Sequence, residues 1–275
     1  MGDWPDIQIS DREVGHIAAF FQIPEPEARR RLDAYRLADF ANAWRQANPK
    51  TEVEIRKFYE ETELYIWELT NWQSSADFKF YRDNLHSLEA IAPVRTHRRF
   101  LDYGSGVGTV ASLMAAQGYE VTIADVPGKT FEYAQFRLKR EGHRFTAIPI
   151  TSAEPPTLGG FDLITCFDVL EHVPQPERVV RVLANCLRTN GVASIFAAFY
   201  DPQGHHPHHL EENIRQFGNK KVWAMLLESH GLVTIGPHIY RKRNLLVSLP
   251  RRFRYRFWRQ TGFYLRNPVA KLKVP

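Results

Sequence analysis

The sequence predicts an α/β fold, with a mostly parallel sheet covered by helices on both faces and a helical cap in front of it. Three observations carry this reading. In residues 98–125 a short apolar run, Phe100-Leu101-Asp102-Tyr103, leads into Gly104, Gly106 and Gly108; a helical run follows, and a second apolar strand ends on Asp125. That is half of a nucleotide-binding βαβ unit. From residue 99 to 199 strand-like and helix-like segments alternate, as in a parallel sheet wrapped by its crossovers. Residues 1–95, by contrast, show no strand-like alternation and read as helices.

The chain has 275 residues, 44% of them hydrophobic, enough for one large α/β domain with a smaller appendage. We divide it into a helical cap and substrate region at 1–95, a ligand-binding domain at 96–250 and a C-terminal tail at 251–275. No apolar run reaches eighteen residues and residues 1–6 carry no signal pattern, so a cytoplasmic protein is expected. Cys166 and Cys186 have neither metal nor redox spacing and read as small buried hydrophobes. The formal charge of +5 conceals an asymmetry: residues 241–275 hold eleven Lys or Arg and no acid, which leaves the preceding 240 residues at −6.

In the cap, Leu37, Phe40, Ala41 and Trp44 have the spacing of a one-faced helix that stops before Pro49. Thr51 and Glu54 form a capping box for the next helix, with a stripe of Ile55, Phe58, Tyr59, Thr62, Ile66 and Leu69. Trp44, Phe58, Tyr59 and Trp72 read as core, whereas Tyr65 and Trp67 lie off the stripe and are candidates for a substrate pocket. A third helix runs from about Phe78 to Ile91. The remaining pattern predicts strands at 99–103, 120–124, 145–150, 161–166 and 192–199, with helices at 108–117, 129–141 and 175–188. A closing hairpin, 232–235 with 244–249, brings the sheet to seven strands, the last antiparallel.

Glycines at the first strand-to-helix turn permit positive φ and close ligand approach, and a carboxylate at the tip of the second strand can accept both hydroxyls of a ribose. The pattern points to an adenosine-like ligand. The dinucleotide fingerprint needs its third glycine five positions after the first; Thr109 holds that place, and Gly108 comes one residue early. Gly128-Lys129-Thr130 lacks the upstream glycine of a phosphate-binding loop, because Ile123 sits there, which argues against a nucleotide triphosphatase.

After the fourth strand the chain reads Phe167-Asp168-Val169-Leu170-Glu171-His172-Val173, and Leu187-Arg188-Thr189-Asn190-Gly191-Val192 turns into the fifth strand. With these motifs in order behind the glycine loop, residues 98–200 resemble the class I S-adenosylmethionine-dependent methyltransferases, in the branch with Asp-Val-Leu-Glu-His-Val after strand four. The resemblance implies a Rossmann-like sheet, S-adenosylmethionine as cofactor and S-adenosylhomocysteine as product. It implies that Asp102, Tyr103, Gly104, Gly106 and Gly108 hold the methionine portion and the sulfonium surroundings. Asp125, with Val126 beside it, would bind the ribose, and Ser152 would stand where relatives often carry an acid near the adenine. Phe167, Asp168 and His172 would lie near the transferring methyl.

Candidate bases come from residues 200–213, where four histidines surround a proline. Histidine suits a base near neutral pH and also ligates metals. His209, beside the start of a Leu-Glu helix, is the preferred base, with His206 and His172 behind it. A solvated loop and a metal set stay open, but the spacing matches no familiar ligand pattern and no metal is expected. The expected activity is methyl transfer to an oxygen or nitrogen of a small metabolite. The alternatives are an RNA methyltransferase using the basic tail, a lipid-associated methyltransferase, or an inactive binding subunit. The tail interleaves five arginines with aromatic residues between Arg251 and Tyr264, which suits an anionic membrane surface or a partner chain; nucleic acid is not expected as a partner.

Overall fold

The computed structural model describes residues 11–92, 98–151, 159–200 and 206–243. Six helices precede the sheet: α1 (Asp11–Phe21), α2 (Glu25–Ala34), α3 (Leu37–Ala47), α4 (Glu52–Glu61), α5 (Leu64–Gln73) and, after a 3-10 turn at Ala76–Phe78, α6 (Lys79–Ile91). β1 (Arg99–Tyr103), α7 (Thr109–Ala116), β2 (Glu120–Asp125), α8 (Lys129–Arg140) and β3 (Phe145–Pro149) build one half of the sheet domain. β4 (Phe161–Phe167), α9 (Pro176–Cys186), β5 (Leu187–Phe196), α10 (Glu211–Phe217), α11 (Lys220–Ser229), β6 (Leu232–Gly236) and β7 (Ile239–Lys242) complete it.

The seven strands are ordered β3-β2-β1-β4-β5-β7-β6, the first five parallel and β7 antiparallel to both of its neighbours. β1 and β4 are buried along nearly their whole length because both faces are covered, and most of their residues are apolar. One face packs on α9, α10 and α11 through Val180, Leu183 and Leu226; the other packs on α6, α7 and α8 through Leu85, Met114 and Leu138. The strand order reverses between β1 and β4, so the loops at their C-terminal ends part and leave a crevice.

The capping box forms: Thr51 Oγ1 accepts from the Glu54 amide at 3.2 Å and Glu54 Oε2 accepts from the Thr51 amide at 2.9 Å. The apolar stripe behind it belongs to two helices rather than one. Thr62 is extended and its Oγ1 accepts from the Leu64 amide at 3.3 Å, so the side chain competes with the helix ladder and starts α5 afresh. The closing hairpin also differs from expectation. Its second strand is Ile239–Lys242, inside the predicted connection, because Pro237 and His238 suffice for the turn and His238 takes a positive φ of 56°. The expected strand at 244–249 and the tail at 251–275 lie outside the described residues.

A smaller core joins α1, α2 and α5 to Val107 and Tyr133 of the sheet domain. Trp67 belongs to it, stacked on Phe21 with centroids 5.1 Å apart, and so is not a pocket residue. Buried Arg137 of α8 ties the pieces together: it donates to Glu13 of α1 at 2.6 Å, Thr109 at 2.9 Å and Glu141 at 3.1 Å. Removing one partner of a buried ion group leaves the others uncompensated. Arg137→Met is therefore expected to lower unfolding stability by about 3 kcal/mol, measured by urea denaturation; a change below about 1 kcal/mol would reduce the cluster to a surface-like pair.

Candidate active site

The crevice at the switch point is closed by the cap into a mostly apolar cavity of about 190 Å3. Its floor is the loop after β1. Gly104 has φ 73°, and a Cβ there would lie 2.1 Å from Val169 Cγ2; at Gly106 a Cβ would lie 2.7 Å from Leu69 Cδ1. Both glycines leave room where the loop, the segment after β4 and helix α5 converge.

Asp125, at the tip of β2, is locked by the same loop. Its Oδ2 accepts from the Gly106 amide and its Oδ1 from the Val126 amide, both at 2.7 Å. Burial pushes its carboxyl up to about 6 while the two amides pull it down. Asp102 on β1 accepts the Thr165 hydroxyl at 2.8 Å through Oδ1, and its Oδ2 is buried with no partner among the described residues. Burial raises Asp102 to about 7 against the opposing Thr165 bond.

Because its folded pKa is raised, Asp102 contributes stability that is present below about 4 and lost as pH rises through about 7. Asp102→Asn is expected to stabilise the ligand-free protein at pH 8 by on the order of 2 kcal/mol and to have little effect near pH 4. Melting curves at the two pH values check this, and a lower melting temperature at pH 8 would refute it.

Beyond β4, Asp168 sits in left-handed backbone, φ 50°, uncommon outside glycine and the sort of strain found at functional sites. Its Oδ2 accepts from the Tyr81 hydroxyl of α6 at 2.6 Å. Burial pushes Asp168 up to about 7, opposed by the Tyr81 bond. Glu171 accepts from the Ala198 amide at 2.8 Å, and burial together with the Asp168 charge holds its carboxyl well above the usual range.

The cap forms the other wall. Tyr59 of α4 and Tyr65 and Trp72 of α5 line the cavity. Tyr65 meets its expectation, whereas Tyr59 and Trp72, read as core, face the cavity. Trp44 is buried as expected, against Phe58 at 5.1 Å. Helix α4 is seated on the sheet domain by Arg56, which donates to the Thr151 carbonyl at 2.6 Å, and by Gly128, where a Cβ would lie 2.5 Å from the Glu60 carbonyl oxygen.

Of the residues singled out in the sequence, Asp102, Tyr103, Gly104, Gly106, Asp125, Val126, Phe167, Asp168 and His172 line the cavity. Gly108 does not: it begins α7, and a Cβ there would lie 3.2 Å from the Ala134 Cβ, so it serves helix packing. His206 and His209 are not among the residues lining the cavity either, although the His209 ring lies 4.8 Å from that of His172, which does line it. Ser152 lies outside the described residues. Tyr81 was missed, since nothing in the local pattern of α6 separates it from its core neighbours Phe78 and Leu85.

A parallel sheet with one reversal, a glycine loop and a carboxylate at the next strand tip define a domain for an adenosine-bearing ligand. A family model described as a methyltransferase domain matches residues 74–249, and the chain belongs to that family, the class I S-adenosylmethionine-dependent methyltransferases that its motifs resemble. It is 32% identical over 154 residues to a ubiquinone biosynthesis O-methyltransferase of Chromobacterium violaceum, covering 51% of this chain and 60% of the relative. It is 31% identical over 133 residues to the protein of that name from Bordetella avium, covering 44% of this chain and 52% of the relative. The chain thus spans between half and two thirds of the length of these curated relatives. A solved S-adenosylmethionine-dependent methyltransferase of Clostridium acetobutylicum aligns with a TM-score of 0.37 and 16% identity, over 42% of this chain and 47% of that one.

The family implies S-adenosylmethionine as cofactor, and the residues present fit it. Asp102 Oδ2 and Ser105 Oγ are buried polar atoms with no hydrogen-bond partner among the described residues, and the backbone of Gly104 and Gly106 lines the same cavity.

Proposed function

We propose that the chain transfers a methyl group from S-adenosylmethionine to an oxygen of a small, ring-bearing metabolite held beneath the cap. The observation that carries this is a cavity lined at once by two unlike sets of residues: the carboxylates Asp102 and Asp125 with the glycine loop, and Tyr59, Tyr65, Trp72 and Asp168. When bound, S-adenosylmethionine supplies a methyl carbon already activated by positively charged sulfur. Asp125 accepts the ribose hydroxyls, its oxygens aimed by the Gly106 and Val126 amides. The aromatic cap orients the acceptor and excludes water, the main demands of an in-line transfer. Asp168, raised to about 7, takes the proton from the acceptor hydroxyl. It replaces His209 and His206 as preferred base because it reaches the cavity and they do not. An oxygen acceptor also agrees with the names of the curated relatives.

The test is calorimetry of the full chain with S-adenosylmethionine and S-adenosylhomocysteine, followed by turnover on phenols, catechols, amines and sugars. Binding of both, and turnover confined to the hydroxylated rings, is expected. Absence of binding would remove the enzyme reading, and turnover on amines alone would remove the oxygen assignment.

A further inference from the structure

We infer that His172, His208 and His209 form a three-imidazole site for a divalent transition-metal ion of the zinc class, at the seam between the loop after β4 and the turn before α10. Each residue offers one ring nitrogen, and the three nitrogens lie within 4.8 Å of one another. All three residues are buried, with exposures of 8%, 3% and 8%. Histidines are seldom so fully withdrawn from water.

The hydrogen bonding points to ligation. The His172 Nδ1 faces the His208 carbonyl oxygen at 3.3 Å, which assigns its proton to Nδ1 and leaves the Nε2 lone pair. This is the arrangement by which a carbonyl orients a metal-bound imidazole. His208 Nδ1 is buried with no hydrogen-bond partner among the described residues. Stacking of His172 on His208, centroids 4.9 Å apart and 10° from parallel, explains the proximity of those two rings but not the orphaned nitrogen or the convergence of His209.

Electrostatics and scaffold agree. Burial, reinforced by the neighbouring rings, holds His172 down to about 3 and His208 lower still, so both are neutral, the ligating form. The backbone sets the rings independently of any ion: the Leu210 amide donates to the Glu171 carbonyl at 2.9 Å, and Asn213 Nδ2 donates to the carbonyls of Leu170 at 3.1 Å and Val173 at 2.8 Å. Three imidazole nitrogens suit Zn2+, whose bonds of about 2.0–2.1 Å require the nitrogens to close to roughly 3.4 Å by rotation of the rings. His172 also lines the cavity, so the ion would join the 206–210 turn to the acceptor wall. The other convergent group, Glu13, His16 and Glu141, is already engaged by Arg137 and Arg12. Sequence spacing hides the site because His172 lies 36 residues before His208.

The experiment is titration of the chelator-treated full chain with Co2+, read by its visible ligand-field bands, followed by displacement with Zn2+. One equivalent per chain with the intense bands of low coordination is expected. His208→Gln and His172→Gln should each weaken binding at least about 100-fold, and His16→Gln should leave it unchanged. Zn2+ should raise the melting temperature of wild type and of His16→Gln only. Absence of a Co2+ spectrum in wild type overturns the site, as does wild-type affinity in either triad variant. Should those variants unfold, anomalous diffraction from Zn2+-treated wild-type crystals decides: a peak among the three rings supports the site, and a peak elsewhere or none refutes it.

Discussion

Asp125→Ala is expected to lower the affinity for S-adenosylmethionine and for S-adenosylhomocysteine by at least about 100-fold. Hydrogen bonds to a charged acceptor are worth roughly 1.5–3 kcal/mol each, and under the proposed function a ribose would present two hydroxyls to this carboxylate. The substitution also releases the loop, since the Gly106 and Val126 amides lose the oxygens they now meet at 2.7 Å. Asp125→Asn separates these contributions: it keeps an acceptor for one amide and the shape of the tip, and should retain more binding than Ala. Calorimetry on both variants is the measurement. An affinity within threefold of wild type for the alanine variant would show that the strand tip is not the ribose site.

Asp168→Asn should reduce kcat by roughly 10²–10⁴, the range for loss of a positioned base. The pH dependence tests the role more sharply than the loss. A carboxylate that accepts a proton must be ionised, so the wild-type rate should rise through about 7 and level off above it. The asparagine variant should be slow and flat over that range. Tyr81→Phe adds a second readout, because the Tyr81 hydroxyl donates to Asp168 at 2.6 Å and favours its charged form. Its loss should move the midpoint of the profile to higher pH, a displacement that a purely structural tyrosine would not produce. A wild-type profile without an inflection near neutrality would exclude Asp168 as the base.

Much of the sheet-domain half of the cavity is legible in short stretches of chain. Glycines, a strand-tip carboxylate and the Asp168 to Val173 motif are local: each is a backbone or side-chain requirement met within a few residues of a strand end. The alternation of strands and helices likewise follows from burial on both faces of a parallel sheet, which leaves continuous apolar runs. The cap half is not local. Tyr59, Trp72 and Tyr81 obey the helical spacing of core residues, and only the seating of α4, α5 and α6 on the sheet turns Tyr59 and Trp72 toward the cavity and brings the Tyr81 hydroxyl to Asp168. Trp67 shows the converse, an off-stripe aromatic that a second core absorbs against Phe21.

The histidines separate the two levels most clearly. In the sequence His206, His208 and His209 are a crowded run and His172 a distant member of another motif. In the fold, Asn213 and Leu210 fasten that run to the loop after β4 and bury His172 with His208 and His209. The sequence by itself determined the family, the order of the parallel strands' segments and the loop and strand-tip residues that line one part of the cavity, because these depend on periodicity and on turns a few residues long. The tertiary structure alone decided which cap aromatics face the cavity, which tyrosine meets Asp168 and which imidazoles meet, because those contacts join residues dozens of positions apart.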